Sequence, residues 1–356
     1  MKVLRKLNNK YVTSSIFLVV LFFLTYYCIL RKFDLKMLMK IVHESSNSFL
    51  LVAIAMVLLN IFLEGVSLSI LGRSLGLSFG WIKGFCYSSI DLFFCGITPS
   101  ASGGQPILVY SMSKDGVPIS KSSIVILIYT VIYKVVLLFL GIIVCIVHRD
   151  FIASSELILW LFLVGFVINV GIIMACLLCM YSRSSIRNLI SVFFKFLEML
   201  HIIKRPQAKI EATYKHLEDY HTSAIFIKDH PSVLIKTTIL TIMQRCALFS
   251  VGYLVYRSFG LTGLHFWDMF AVQVVISITV DTLPLPGAVG VSEAMCILLY
   301  TQIQLEQYVA PAMVLTRGIN FYFQLVFTGI ITVLYHFLLT RPSKCTEGRK
   351  FDDRVL

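Results

Sequence analysis

Apolar residues run along this chain in long blocks, and two of the blocks are broken by proline, glycine and small polar residues. Six blocks are unbroken: Tyr11–Leu30, Phe49–Leu71, Ser122–Val147, Leu157–Tyr181, Ser232–Tyr256 and Ala312–Leu339. Each has about the 20 residues that a helix needs to cross a hydrocarbon core of about 30 Å. The two broken segments are Lys83–Met112 and Trp267–Thr301. The first is interrupted at Thr98-Pro-Ser-Ala-Ser-Gly-Gly-Gln-Pro106. The second is interrupted at Asp281-Thr-Leu-Pro-Leu-Pro-Gly-Ala-Val-Gly-Val-Ser-Glu293. The limb from Gly84 to Ile97 rises only about 21 Å as a helix, and the limbs beside Pro284–Gly287 are as short. Segments of that length read as re-entrant. Irregular backbone at membrane depth stands only inside protein or along a wet cavity, and paired interruptions point to a transporter's binding site. The predicted fold is an all-α polytopic integral membrane protein of six full spans plus two Gly/Pro-broken re-entrant hairpins. An eight-span version, with both hairpins crossing, is the alternative. The period-2 alternation of an outer-membrane barrel is absent.

Composition agrees: 58% of the 356 residues are hydrophobic and 14% charged, a balance foreign to soluble domains. The formal charge of +12 sits in loops and tails beside the apolar blocks, which is the positive-inside pattern and not a nucleic-acid surface. It also divides the chain. Residues 1–10 carry four basic groups and no acid, so they form a cytoplasmic N-terminus. Residues 11–339 form the membrane domain. Within it, the 182–231 connection carries eight basic against five acidic residues and is cytoplasmic. Residues 340–356 form a cytoplasmic tail. The first hairpin then enters from the cytoplasm and the second from outside, an inverted arrangement. Arg31–Ser48 falls outside by this count yet is basic; its Phe33, Leu35, Met37, Leu38 and Ile41 predict an amphipathic surface helix. The N-terminal block is long and has no small-residue cleavage site after it, so it reads as an uncleaved span. Eight of the nine cysteines lie in apolar segments, and Cys176 and Cys179 read as packing.

Ionisable groups at bilayer depth cost about 2.5–3.5 kcal/mol each on insertion scales, so each needs a reason. Asn60, Glu64 and Ser67 share one helix face, as do Thr238, Thr241 and Arg245, then Gln273, Ser277 and Asp281, then Arg317, Asn320 and Gln324. Ser88 and Asp91 add a polar face to the first hairpin. Lys134 and Asp91 lie near predicted span ends, where snorkelling relieves them. The remaining stripes predict an internal polar cavity. At the breaks, Pro106 suits a helix start after Gly103-Gly104, and Ser292 suits a cap for a helix starting at Glu293. Helix N-termini aimed into a cavity suit phosphate. With carboxylates beside them, they match a zwitterionic or cationic phospholipid headgroup.

Pro99-Ser-Ala-Ser-Gly-Gly104 resembles the P-[ST]-x-x-G-G signature of the lysylphosphatidylglycerol synthase transmembrane region, or flippase-like domain, family. Pro284-Leu-Pro-Gly-Ala-Val-Gly-Val-Ser-Glu-Ala294 is similar to that family's P-x-P-G-G-x-G-x-x-E-A signature, and Arg317 resembles its Arg early in the last span. The likeness covers Ile16–Leu339. The chain departs at Ala288, commonly Gly, and at Ser292, commonly basic. In multiple peptide resistance factor proteins this region is fused to a cytosolic aminoacyltransferase domain and moves the aminoacylated lipid to the outer leaflet.

The resemblance implies flipping of a phospholipid or lipid-linked substrate across the bacterial cytoplasmic membrane, with lysylphosphatidylglycerol the favoured cargo and resistance to cationic antimicrobial peptides the consequence. Leu356 follows the last span too soon for a synthase domain, so lipid aminoacylation is not expected. Glu64, Ser102, Gly103, Gly104, Gln105, Arg245, Asp281, Pro286, Gly287, Gly290, Glu293 and Arg317 are the expected substrate-binding or gating residues. Arg245 and Arg317 would neutralise phosphate, and Glu64, Asp281 and Glu293 would attract an amine. No catalytic residue, metal or cofactor is expected. A membrane-embedded phosphatidylglycerol lysyltransferase and an accessory subunit of a separate synthase are the competing readings. A separate lipid synthase and a second copy of the chain stay open as partners.

Overall fold

The computed structural model describes residues 35–98, 103–153, 155–181, 230–281 and 285–339. The expected first span, the termini, residues 182–229 of the connection, and Ser102 lie outside the described residues.

Every described regular element is helical. The α-helices, in chain order, are α1 (Leu35–Glu44), α2 (Asn47–Ser74), α3 (Trp81–Ile97), α4 (Gly104–Lys114), α5 (Ile119–Val147), α6 (Arg149–Ala153), α7 (Glu156–Tyr181), α8 (Pro231–Ser258), α9 (Phe266–Val280), α10 (Val291–Gln302), α11 (Val309–Arg317) and α12 (Gln324–Leu334). A π-helical turn, Gly318–Phe323, joins α11 to α12. The expected spans from Phe49 onward agree with α2, α5, α7, α8 and α11–α12 to within a few residues at each end. Among the described residues, five helices are long and apolar enough to cross a membrane. α1 supplies the helix expected in the 31–48 loop.

The ends follow local chemistry. α2 stops in a Schellman motif: Gly76 takes φ 74°, its N–H donates to Arg73 O at 3.0 Å, and the Leu77 N–H donates to Gly72 O at 3.0 Å. α8 opens with Pro231 in its first turn, where a missing N–H is harmless. Glycine sets the helix–helix distance. A Cβ on Gly65 would fall 2.6 Å from Phe85 N, and one on Gly84 would fall 2.2 Å from Gly65 O. α2 and α3 therefore cross backbone to backbone, as small residues permit in membrane bundles. α7 exposes Leu157, Trp160, Val167 and Met174. A continuous apolar exterior of that kind faces lipid and not water. The protein is a multi-pass integral membrane protein.

Contacts along α2 orient everything else. α8 runs antiparallel to it, with the Ser46 N–H donating to Ser258 O at 2.7 Å at one end. At the other end of α2, Lys121 at the start of α5 donates to Leu75 O at 2.8 Å. α3 and α4 fold back on each other. Near their outer ends Tyr87 and Lys83 reach Asp115 at 2.6 and 3.4 Å. Near the turn, a Cβ on Gly104 would fall 2.4 Å from Asp91 Oδ1. This hairpin opens at the Ser74 end of α2. α9 and α10 make a second hairpin, joined by Gln273 Nε2 to Tyr300 OH at 3.0 Å. Its mouth lies at the other end: Asp268, in the first turn of α9, pairs with His148 just past the end of α5 at 3.7 Å. The two hairpins thus open at opposite ends of the bundle, and their tips meet. A Cβ on Gly287 would fall 3.1 Å from Gly96 O.

Candidate functional site

Two cavities flank this approach of Gly287 to Gly96 among the described residues. One, of about 250 Å³, lies between α9, the second tip and the α11–α12 helix; Gln273, Ser277, Ser292, Arg317, Asn320 and Gln324 supply its polar lining. The other, of about 340 Å³, lies between α2, α3, α5 and α8; Glu64, Asp91, Gln105, Lys134 and Arg245 line it. Leu92, Cys95 and Asp281 border both. The septum between the cavities is therefore built from the tip regions of the two hairpins.

Around the larger cavity the helix-face stripes become a network. Gln244 Nε2 donates to Glu64 Oε2 at 2.9 Å, and Tyr129 OH donates to Gln244 Oε1 at 2.9 Å. Arg245 donates from one terminal nitrogen to Asn60 Oδ1 at 3.0 Å and stacks over the Tyr133 ring at 4.7 Å. Asn60 in turn donates to Gln324 Oε1 at 3.4 Å, linking α2 to α12. Glu64 and Arg245 are both buried, yet Glu64 Oε1 and Arg245 Nε have no hydrogen-bond partner among the described residues. Lys134 is ion-paired with Asp281, which also accepts from Tyr133 OH at 3.3 Å. Gln105, in the first turn of α4, donates to Thr130 Oγ1 at 2.9 Å.

The second tip is pinned differently. Gly290, at φ 92°, is the N-cap of α10, which begins at Val291. The sequence reading placed that start at Glu293 with Ser292 as cap. Only glycine takes this φ cheaply, and that moves the cap two residues upstream. Glu293 then sits at the third helical position, where its carboxylate accepts the Gly290 N–H at 2.7 Å, the carboxylate half of a capping box. Its other oxygen accepts from Arg317 Nε at 3.1 Å and from Tyr322 OH at 3.4 Å. Arg317 also donates to Gly287 O at 3.2 Å and stacks over Phe321 at 4.5 Å. Glu293 is fully buried, so its charge is spent on its own helix end and on Arg317. At the first tip the Gly103 N–H donates to Thr98 Oγ1 at 2.9 Å. α4 starts at Gly104, so Pro106 is its third residue and not its first. The N–H it lacks is still one that a helix leaves unpaired.

The expected site residues therefore fall into three groups. Glu64, Gln105, Arg245 and Asp281 line the larger cavity. Gly287, Arg317 and again Asp281 line the smaller. Gly103, Gly104, Pro286, Gly290 and Glu293 build the tips. Lys134 is a correction. The expectation of a snorkelling side chain fails, since it is only 8% exposed and held by Asp281. Asp91, expected to snorkel too, lines the larger cavity. Gln244 and Tyr129 were missed. The spacing of Thr237, Thr241 and Gln244 along α8 was the available signal for the first.

The family model described as the lysylphosphatidylglycerol synthase TM region matches residues 11–327, which includes both hairpins and both cavities. The chain belongs to this family. It is also similar to a UPF0104 membrane protein of Archaeoglobus fulgidus, 21% identical over 298 residues, an alignment that covers 79% of this chain and 84% of that relative. Both likenesses extend over most of the chain and not over one motif.

Proposed function

We propose that this protein translocates a phospholipid or a lipid-linked substrate across a bacterial cytoplasmic membrane, with aminoacylated phosphatidylglycerol, lysylphosphatidylglycerol above all, as the favoured cargo. The observation that carries the reading is the pair of cavities meeting at a septum of two hairpin tips that open at opposite ends of the bundle. A headgroup held on either side of such a septum needs only the tips to yield in order to change sides. Six full spans with two re-entrant hairpins and both termini in the cytoplasm is the topology we favour. α3, α4, α9 and α10, at 17, 11, 15 and 12 residues, are each too short for a core of about 30 Å.

The lining suits a headgroup bearing both phosphate and ammonium. Arg245 in one cavity and Arg317 in the other offer guanidinium to phosphate. Glu64 and Asp91 offer carboxylate to an amine. Glu293 serves by holding Arg317 in place. Moving an amine-bearing lipid outward would make the outer surface less anionic and so lower its attraction for cationic antimicrobial peptides.

The test is a headgroup panel in proteoliposomes, with leaflet-resolved transport of fluorescent lysylphosphatidylglycerol, phosphatidylglycerol and phosphatidylethanolamine. Faster transport of the lysyl lipid supports the cargo. Equal rates for all three would refute the headgroup preference, and product formed from aminoacyl-tRNA and phosphatidylglycerol would favour an enzyme.

A further inference from the structure

The larger cavity has a charge imbalance. Glu64, Asp91 and Asp281 supply three carboxylates, and Lys134 and Arg245 supply two cations. Lys134 and Asp281 satisfy each other. That leaves one guanidinium for two carboxylates, and among the described residues it makes no ion pair with either, since its hydrogen bond goes to the neutral Asn60. Among the described residues, Asp91 accepts only the weak Cys95 thiol contact at 3.7 Å. Among the described residues, Glu64, 2% exposed, keeps one carboxyl oxygen without a partner, and Arg245, 7% exposed, keeps Nε without one. Both line the cavity. An unpaired charge in a low-dielectric interior is expensive, and the usual resolution is neutralisation. Two carboxylates sharing one site resolve it by holding a single proton between them.

The groups facing Glu64 come from each helix packed on α2. α3 presents Asp91 and Cys95, and α5 presents Tyr129, Tyr133 and Lys134. α8 presents Arg245, and Asp281 approaches from the end of α9. The π-helical turn turns Tyr322 away, toward Glu293. Of these, Lys134 is already matched and Arg245 can match only one carboxylate. The phenols donate elsewhere, Tyr129 to Gln244 and Tyr133 to Asp281, and the thiol donates to Asp91.

We propose that the cavity between α2, α3, α5 and α8 is a proton-binding site, in which Glu64 and Asp91 share one exchangeable proton that is released to water when the cargo's ammonium takes its place. One O–H bond breaks on release, a carboxylate and a hydrated proton result, and nothing is oxidised or reduced. Translocation of an amine-bearing lipid is then coupled to a proton in the opposite sense. The coupling rests on the translocation reading; the shared proton does not.

The experiment is infrared spectroscopy of the purified full chain at neutral pH in an ester-free detergent, reading the carbonyl band of protonated carboxyl groups. The wild type shows such a band. Glu64→Gln and Asp91→Asn each abolish it, because the remaining carboxylate is then matched by Arg245. Arg245→Gln strengthens it. A wild type without the band, or a band unchanged in either folded single variant, overturns the site, as does a band that sodium removes at fixed pH. The two near-isosteric variants are independent, so one that misfolds leaves the other to decide. In proteoliposomes, an imposed pH gradient changes the lysyl-lipid rate for wild type and not for Asp91→Asn. A wild type indifferent to the gradient overturns the coupling. A band that behaves as stated with no lipid movement at all refutes the translocation reading and leaves the proton site standing.

Discussion

Glu293→Gln should destabilise the bundle far more than the loss of one hydrogen bond. The carboxylate is fully buried and accepts from the Gly290 N–H at 2.7 Å and from Arg317 Nε at 3.1 Å. The amide oxygen of Gln can still accept from Gly290, so the cap largely survives. The charge does not, and Arg317, whose side chain is 12% exposed, is left with only the Gly287 carbonyl and the Phe321 ring. Interhelical hydrogen bonds in membranes average about 0.6 kcal/mol. Breaking a buried ion pair by removing one partner costs about 3–5 kcal/mol, because the other charge stays buried and unmatched. The magnitudes separate the two accounts. Unfolding in mixed micelles should give about 3 kcal/mol or more for Glu293→Gln and a similar loss for Arg317→Gln. The double variant should lose clearly less than the sum, with a coupling of about 2–3 kcal/mol. Cys296 is buried in α10 beside the pair, so its reaction with a thiol dye reports the same opening independently. A single-variant loss under about 1 kcal/mol, or a double variant that is additive, would refute the pinning of the second tip by this pair.

Other expectations follow from single contacts. Gly84→Ala places a Cβ 2.1 Å from Ser69 Oγ and 2.2 Å from Gly65 O; overpacking of this kind costs about 1–3 kcal/mol or more and should lower the monodisperse fraction on size exclusion, whereas Gly76→Asn, in open space, should not. Lys134→Met strands Asp281 on the septum, and a loss of about 2 kcal/mol at the barrier would slow lipid movement roughly 30-fold; restoration by Asp281→Asn in the double variant would identify the pair, not either residue alone, as the element that matters. Cysteines at Lys83 and Trp267, both exposed near the hairpin mouths, should react with an impermeant reagent from opposite sides of the membrane. Labelling of both from one side would contradict the inverted hairpins.

The spans were legible because a bilayer demands long apolar runs, and little else satisfies it. The hairpins were legible for the converse reason: Pro284–Gly287 and Pro99–Gly104 have no place in an unbroken lipid-facing helix. Partnerships were not legible. The spacing within α5 says nothing of Asp281, which lies 147 positions away and reaches Lys134 only because the second hairpin turns back there. Glu293 read as a cavity carboxylate because its helix was started two residues late, and the shift from Glu293 to Val291 makes it a capping residue. Gln244 and Tyr129 did not stand out, since a neutral amide or phenol in an apolar helix carries no charge signal. Glu64 and Arg245 stood out as costly charges, yet only the packing of α2 on α8 places Asn60 and Gln244 between them and their expected partner groups.

The most direct measurement of the central claim is leaflet-resolved movement of a fluorescent amine-bearing phospholipid in liposomes containing the purified chain, quenched from outside. Wild type should transfer lipid between leaflets well above protein-free liposomes, and Lys134→Met, folded and reconstituted at equal density, should approach the protein-free rate. Movement no faster than in protein-free liposomes, or unaffected by loss of the septum's ion pair, would contradict the account.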